Sequence, residues 1–391
     1  MSSNLQKPKN IICFATRRID DRLPTNVQQV MVRLARDYRV LYVEPPVDRM
    51  FLCRNPDFLQ RRHAVKSLYP SLYPLCPLIF PFERRIPLML SSVNRYRIVS
   101  AVRREMKKRK LQPDIVWLFR PDDLWLARRL HPAHICYHVT DKYIAMPQLA
   151  KTRRQRDRLL KMEAATIKHA DIIFCTARSL WREVSARHPN AFYVGNVADV
   201  EHFAKACLDA TIIPGDISSL PRPIVGFFGA ISSFKIDYSL LKVTAAAFQN
   251  GSLVMIGPIR ENKSNGSAEI PHARNIYYLG TRDYELLPNY LKGFDVCIIP
   301  YRQSHYTRHV FPLKFFEYLA AGKPVVSTPL PALEEFSKLF YSANDSQVWR
   351  SALQRAFFED DPEKHQARKD TASANSWPVR IKQIKTIIEE L

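Results

Sequence analysis

Short apolar runs alternate with longer amphipathic stretches along this chain. Asn10–Thr16, Val40–Glu44, Asp114–Phe119, His134–Tyr137 and Asp171–Cys175 are compact segments rich in Ile, Val, Phe and Cys. Runs that are apolar on both faces suit strands buried inside a parallel sheet. The intervening stretches Asn26–Arg36, Ser92–Leu111 and Lys151–Ala170 are long enough for helices and place their apolar positions on one side. Strands that alternate with helices predict a parallel sheet covered on both faces. A looser stretch follows, 204–222, with Ile-Pro-Gly-Asp and Leu-Pro-Arg-Pro, which has the composition of a linker. The alternation then restarts with Pro223–Gly229, Ser252–Ile256, Asn275–Leu279, Asp295–Pro300 and Pro324–Ser327. In the tail, Ile381, Ile384, Ile387 and Ile388 fall on one helical stripe. The pattern predicts an α/β protein of two Rossmann-like parallel-sheet domains, 1–203 and 223–375, joined by the 204–222 linker and followed by a helix over 376–391. Two such domains facing a cleft would bind ligands at the carboxyl ends of their strands.

Phe311–Thr328 (FPLKFFEYLAAGKPVVST) carries the densest chemistry. Pro312 suits the first turn of a helix, because its missing N–H would be unpaired there in any case. Gly322 stands where a left-handed cap would end that helix, and Pro324 prevents its continuation into the Val-Val strand. Lys314 and Glu317 are three apart and leave one face near the helix's positive end. A lysine there attracts a diphosphate, and a carboxylate can accept both hydroxyls of a ribose. The plainer alternative is an amphipathic helix with a solvated Lys–Glu pair. Gly226–Ser233 opens the second domain directly after a strand; Gly229 permits close backbone approach to a phosphate, with Ser232 and Lys235 nearby. A tight strand–helix turn would need the same glycine. Thr281 and Tyr284 follow another strand, where Tyr284 could stack on a base; Tyr301 ends the next strand and Tyr306, Arg308 and His309 lie on the loop before the Lys314 helix, all four within reach of a donor sugar or phosphate unless they are simply solvated.

The segment Glu317 to Gly322-Lys-Pro-Val-Val326 resembles the donor-binding helix of GT-B glycosyltransferases, in particular the group holding family 4 and the xanthan-type glucuronosyltransferases. An earlier glutamate, found in many family 4 members, is replaced here by His309, and Lys314 matches the glucuronosyltransferase-like branch. Inversion or retention at the anomeric carbon is therefore open. The resemblance implies that Lys314 binds the donor diphosphate, that the loop at Gly229 lies near it, that the loop at Thr281–Tyr284 holds the nucleobase, and that the final helix crosses back to the first domain. Tyr137-His-Val-Thr-Asp141 matches the Tyr-x-x-Ser/Thr-Asp motif of the glucuronosyltransferases, which implies Asp141 as the base that deprotonates the acceptor. A helix N-cap is the alternative for Asp141, and His138 is the alternative base. Asn196-Val-Ala-Asp199 resembles the turn that precedes the hinge in such enzymes and marks the boundary. The donor implied is a UDP- or GDP-sugar, consumed as substrate, with no cofactor and no metal, since cations and the helix dipole offset the leaving diphosphate.

Charge then adds a location. The chain has 59 basic and 37 acidic residues, and residues 1–195 hold 37 of the basic and only 16 of the acidic ones. That half should meet a partner rich in negative charge, an anionic membrane surface or a nucleic acid. Leu68–Phe82 has a proline at nearly every turn and cannot be a regular helix; Arg61, Arg62, Lys66, Arg84, Arg85, Arg103, Arg104 and Lys107–Lys110 surround it. Cations beside aliphatic and aromatic groups suit an anionic bilayer interface, and no nucleic-acid-binding motif interleaves them. The seven cysteines are scattered without a Cys-x-x-Cys pair, which fits buried reduced thiols. The N-terminus lacks a signal-peptide core, and no run is long enough to span a bilayer. The expectation is a cytoplasmic glycosyltransferase, peripheral on the inner membrane face, moving a sugar from a nucleotide to a lipid-linked or other glycan acceptor in bacterial polysaccharide or glycoconjugate synthesis. A non-enzymatic membrane- or nucleic-acid-binding protein and a donor-binding scaffold without catalysis are the competing classes.

Overall fold

The computed structural model describes residues 9–21, 25–55, 69–81, 87–146, 149, 152–261 and 269–391, with the backbone alone at 87–90. Arg61, Arg62, Lys66, Arg84 and Arg85 lie outside the described residues. The chain divides into two compact units, Met1–Val194 with Lys385–Leu391, and Gly195–Ile384.

The first unit is built on a seven-stranded sheet. Its strands are β1 Asn10–Phe14, β2 Arg39–Val43, β3 Leu72–Leu75, β4 Ile115–Leu118, β5 His134–Val139, β6 Ile172–Cys175 and β7 Ala191–Tyr193, in spatial order β3-β2-β1-β4-β5-β6-β7, all parallel. β1, β4 and β6 are buried along their whole length, which is why they read as unbroken apolar runs. The second unit has six parallel strands, β8 Ile224–Phe228, β9 Ser252–Ile256, β10 Ile276–Gly280, β11 Val296–Ile299, β12 Val325–Ser327 and β13 Tyr341–Ser342, in order β10-β9-β8-β11-β12-β13.

An aspartate before a strand locks its neighbour in three places. The Asp114 carboxylate accepts the Asn10 backbone and side-chain N–H groups, both at 2.7 Å. Asp171 accepts from the Ile135 amide at 2.7 Å, and Asp295 from the Ile224 amide at 2.7 Å. Each satisfies a strand-start donor that would otherwise be buried unpaired.

Both sheets reverse their winding once. The chain leaves β1 toward β2 and β3, then returns to the other side at β4; it leaves β8 toward β9 and β10, then returns at β11. Adjacent loops diverge at such reversals, and the crevice beyond the strand ends is where open α/β sheets bind ligands.

The proline-rich stretch, expected not to be a regular helix, contains β3. Pro74 pairs in register with Tyr42 at the sheet edge, where a missing N–H is tolerated. The last helix, Trp377–Glu389, buries Ile381, Ile384 and Ile388. Its end belongs to the first unit, where Lys385 pairs with Asp37 at 3.0 Å and Lys9 Nζ donates to the Ile388 carbonyl at 3.2 Å. Cys13, Cys136, Cys175 and Cys297 are buried as expected of reduced core thiols, whereas Cys53 and Cys207 are exposed.

Candidate functional site

Three loops meet at the winding reversal of the second unit. β8 leads into Gly229, β11 leads into Pro300-Tyr301, and the helix Lys314–Ala320 starts beside them. The helix begins just after Pro312 and closes at Gly322 (φ 68°), where the Gly322 amide donates to Leu319 at 2.8 Å and the Lys323 amide to Tyr318 at 3.1 Å. That double closure is a left-handed helix stop. The loops are stitched together by the Asp237 amide on the Pro300 carbonyl (2.8 Å), the Arg302 amide on the Lys235 carbonyl (2.9 Å) and an antiparallel bridge between Ile236 and Tyr301.

Lys314 is the centre of this cluster. Its Nζ donates to the Tyr301 hydroxyl at 2.7 Å and lies 4.9 Å from the Phe227 ring centroid. Lys235 Nζ lies 4.6 Å over the Tyr301 ring. Gly229 (φ 138°) makes room for the lysine, since a Cβ there would stand 3.1 Å from Lys314 Nζ. Behind it, Gly257 (φ 140°) is equally forced, because a Cβ would meet the Gly229 carbonyl at 2.0 Å. The Gly229 amide donates to the Ile256 carbonyl at 2.8 Å, so this glycine contributes space rather than a free donor. Ser232 also has a local duty, its hydroxyl accepting from the Phe234 amide at 3.3 Å and its carbonyl from the Ile236 amide at 2.8 Å.

Electrostatics at the cluster are unusual. Burial pushes the Tyr301 phenol up, but the Lys235 and Lys314 ammoniums outweigh it and hold the group at about 8. Burial lifts the Glu317 carboxyl to about 7, against the pull of Lys314 and with help from Asp199. Among the described residues the Glu317 carboxylate accepts no hydrogen bond. The arrangement therefore presents two ammoniums, a perturbed phenol and an available carboxylate in one place. A diphosphate with an attached ribose has the matching chemistry.

The other residues singled out in this unit are less concentrated. Tyr284 stacks on His202 with centroids 4.5 Å apart and an 11° tilt, while its carbonyl is 2.9 Å from His202 Nε2. One face of the ring is thus already covered by a histidine that sequence reading passed over. Thr281 and Arg308 are exposed. Arg308 and His309 belong to a short 3-10 turn, Thr307–His309, and the His309 ring lies 5.3 Å from that of His305.

In the first unit Asp141 follows the carboxyl end of β5 and is partly buried. Two residues on, the Tyr143 hydroxyl donates to the Phe119 carbonyl at 2.8 Å, which ties this turn to the end of β4. His138 is fully buried within β5, its ring 5.1 Å from Phe119 and 5.7 Å from Phe174. Burial holds its pKa down to about 3, so the imidazole is neutral and packs as a core ring.

Three comparisons with known proteins bear on this geometry. Residues 222–357, which lie within the second unit, match the family described as glycosyl transferases group 1. "Putative teichuronic acid biosynthesis glycosyltransferase TuaH" of Bacillus subtilis (strain 168) is 30% identical over 233 residues, 57% of this chain and 57% of that protein. The chain thus spans little more than half the length of this curated relative. Among solved structures, sucrose-phosphate synthase from Thermosynechococcus elongatus superposes with a TM-score of 0.68 at 17% identity, covering 98% of both chains. Anabaena HepE in complex with UDP and glucose gives a TM-score of 0.68 at 14% identity over 98% of this chain and 100% of that one. The fold is that of the GT-B proteins, two Rossmann-like parallel-sheet domains.

Proposed function

We propose that this chain is a glycosyltransferase that moves a sugar from a nucleotide-sugar to a glycan acceptor in polysaccharide synthesis. The observation that carries the reading is Lys314, held by Tyr301 over Gly229 at the winding reversal of a group 1 glycosyl transferase domain. The donor diphosphate sits on Lys314 and Lys235, and its ribose hydroxyls donate to Glu317. The TuaH relative's name places it in teichuronic acid biosynthesis, and HepE was solved with UDP and glucose, which favours a UDP-sugar.

Transfer breaks the bond between the anomeric carbon and the diphosphate oxygen and forms a bond from that carbon to an acceptor oxygen. The acceptor's hydroxyl proton passes to Asp141. The departing diphosphate gains negative charge, which the two ammoniums offset. The acceptor is lipid-linked and presented at an anionic membrane, on the cytoplasmic side where nucleotide-sugars are made. Exposed Arg103, Arg104, Lys107 and Lys108 on the helix Pro87–Arg109 support that placement, as do exposed Met50, Phe80, Val93 and Tyr96 in the same unit.

The test is a screen of UDP- and GDP-sugars for thermal stabilisation, followed by transfer of the best one to a polyprenyl-diphosphate-linked saccharide fraction. One donor stabilises the protein and is consumed. Asp141→Asn abolishes transfer and keeps the donor-induced stabilisation. Near-normal turnover in Asp141→Asn removes Asp141 as the base, and stabilisation by no sugar nucleotide removes the whole reading.

A further inference from the structure

The winding reversal of the second unit leaves one backbone donor without its strand partner. β8 pairs with β9 over its whole length, Ile224 to Phe228, but with β11 only at Val225 and Gly226. Successive amides along a strand point alternately to its two neighbours. The Gly229 amide meets Ile256 of β9, and the Ile224 amide meets Asp295 just before β11. By that alternation the Phe228 amide faces β11, beyond the last paired residue. A buried N–H in that place costs free energy unless something accepts from it.

The acceptor comes from the helix Lys314–Ala320. The fully buried Tyr318 hydroxyl accepts from the Phe228 amide at 3.2 Å, and its ring stands edge-on to the Phe228 ring with centroids 4.8 Å apart. Burial pushes the Tyr318 phenol well above its ordinary range, so it stays a neutral hydroxyl, unlike Tyr301. Tyr318 is four residues after Lys314 and shares its helix face. That face holds the end of β8 twice. Lys314 Nζ lies beside Gly229 and 4.9 Å from the Phe227 ring centroid, and Tyr318 takes the amide of the residue between them. Sliding the helix along β8 breaks the Tyr318 bond.

We propose that Tyr318 is a positioning residue for donor binding, which fixes, through the Phe228 amide, the spacing of Lys314 over Gly229 where the diphosphate is held. The inference rests on the transferase reading and refines its donor site. Tyr318 is enclosed between helix and strand and does not touch the donor. Its hydroxyl acts at one remove, by holding the backbone that the lysine faces.

The experiment is a calorimetric titration of the full chain with UDP-glucose, run beside amide hydrogen exchange. Tyr318→Phe keeps the ring, removes only the acceptor, and weakens UDP-glucose binding by about 10-fold. Thr244→Val is the control for a general loss of stability. It removes an equally buried hydrogen bond of the same unit, donated by Trp349 Nε1 to the Thr244 hydroxyl at 2.9 Å, and leaves UDP-glucose affinity within about 2-fold. Coupling between two sites is reciprocal, so in the wild type UDP-glucose slows exchange of the Phe228 amide by about 10-fold as well. That measurement needs no variant. Unchanged affinity in Tyr318→Phe overturns the proposal, as does an equal loss in Thr244→Val. A Phe228 amide whose exchange UDP-glucose leaves unmoved overturns it too. Wild-type protein that binds no UDP-glucose contradicts the donor reading instead, so the two failures are distinct.

Discussion

At the scale of single residues, the candidate donor site is a small electrostatic machine. The Lys314 ammonium acts on both Tyr301 and Glu317, and Lys235 on Tyr301, so that the phenol is held at about 8 while burial lifts the carboxyl to about 7. Binding a diphosphate favours the neutral phenol, so donor affinity falls as pH rises through about 8 and Tyr301 becomes tyrosinate. Accepting ribose hydroxyls favours the ionised carboxylate, so affinity also falls as pH drops through about 7 and Glu317 is protonated. Calorimetric titration with UDP-glucose should give a bell with its crest between those values. Tyr301→Phe should remove the alkaline limb and Glu317→Gln the acid one; a profile unchanged in both variants would contradict these roles. Lys314 and Glu317 were legible in the sequence because a helix fixes their spacing. Tyr301 was legible only as the residue that ends a strand, since its contact with Lys314 depends on β11 and the helix meeting in space.

At the scale of elements, most strands announced themselves as buried apolar runs, and the aspartates before β4, β6 and β11 marked where those runs begin. The short edge strands β3, β7 and β13 did not. β3 has a proline inside it, and two- or three-residue strands such as β13 and β7 leave no period to read. A helix was expected over Ser92–Leu111 and is found over Pro87–Arg109, and its outward cations are the element-level argument for a membrane surface. Removing four of them together, Arg103→Ala, Arg104→Ala, Lys107→Ala and Lys108→Ala, should weaken binding to vesicles of anionic phospholipid by about 100-fold or more, at roughly 1 kcal/mol for each charge. Co-sedimentation at low salt measures this. Equal binding by the quadruple variant would mean that this face does not dock.

At the scale of the whole molecule, two parallel sheets were readable from alternation, because a parallel strand needs a long crossover and so imposes a rhythm on the sequence, whereas the strand order with its one reversal in each sheet was not. Nor were the crevices beyond the reversals. In the first unit Phe14 at the end of β1, Val43 at the end of β2 and Arg120 after β4 line one cavity, and only the return of the chain to β4 brings them together. The proposed reading divides the labour, with the donor on the second unit and the acceptor on the first. The most direct check is a crystal structure of the protein soaked with UDP-glucose. The diphosphate should lie within hydrogen-bonding distance of Lys314 Nζ, over Gly229, with the ribose on Glu317. Density for the nucleotide anywhere else, with Lys314 still resting on Tyr301 and Glu317 untouched, would contradict the account.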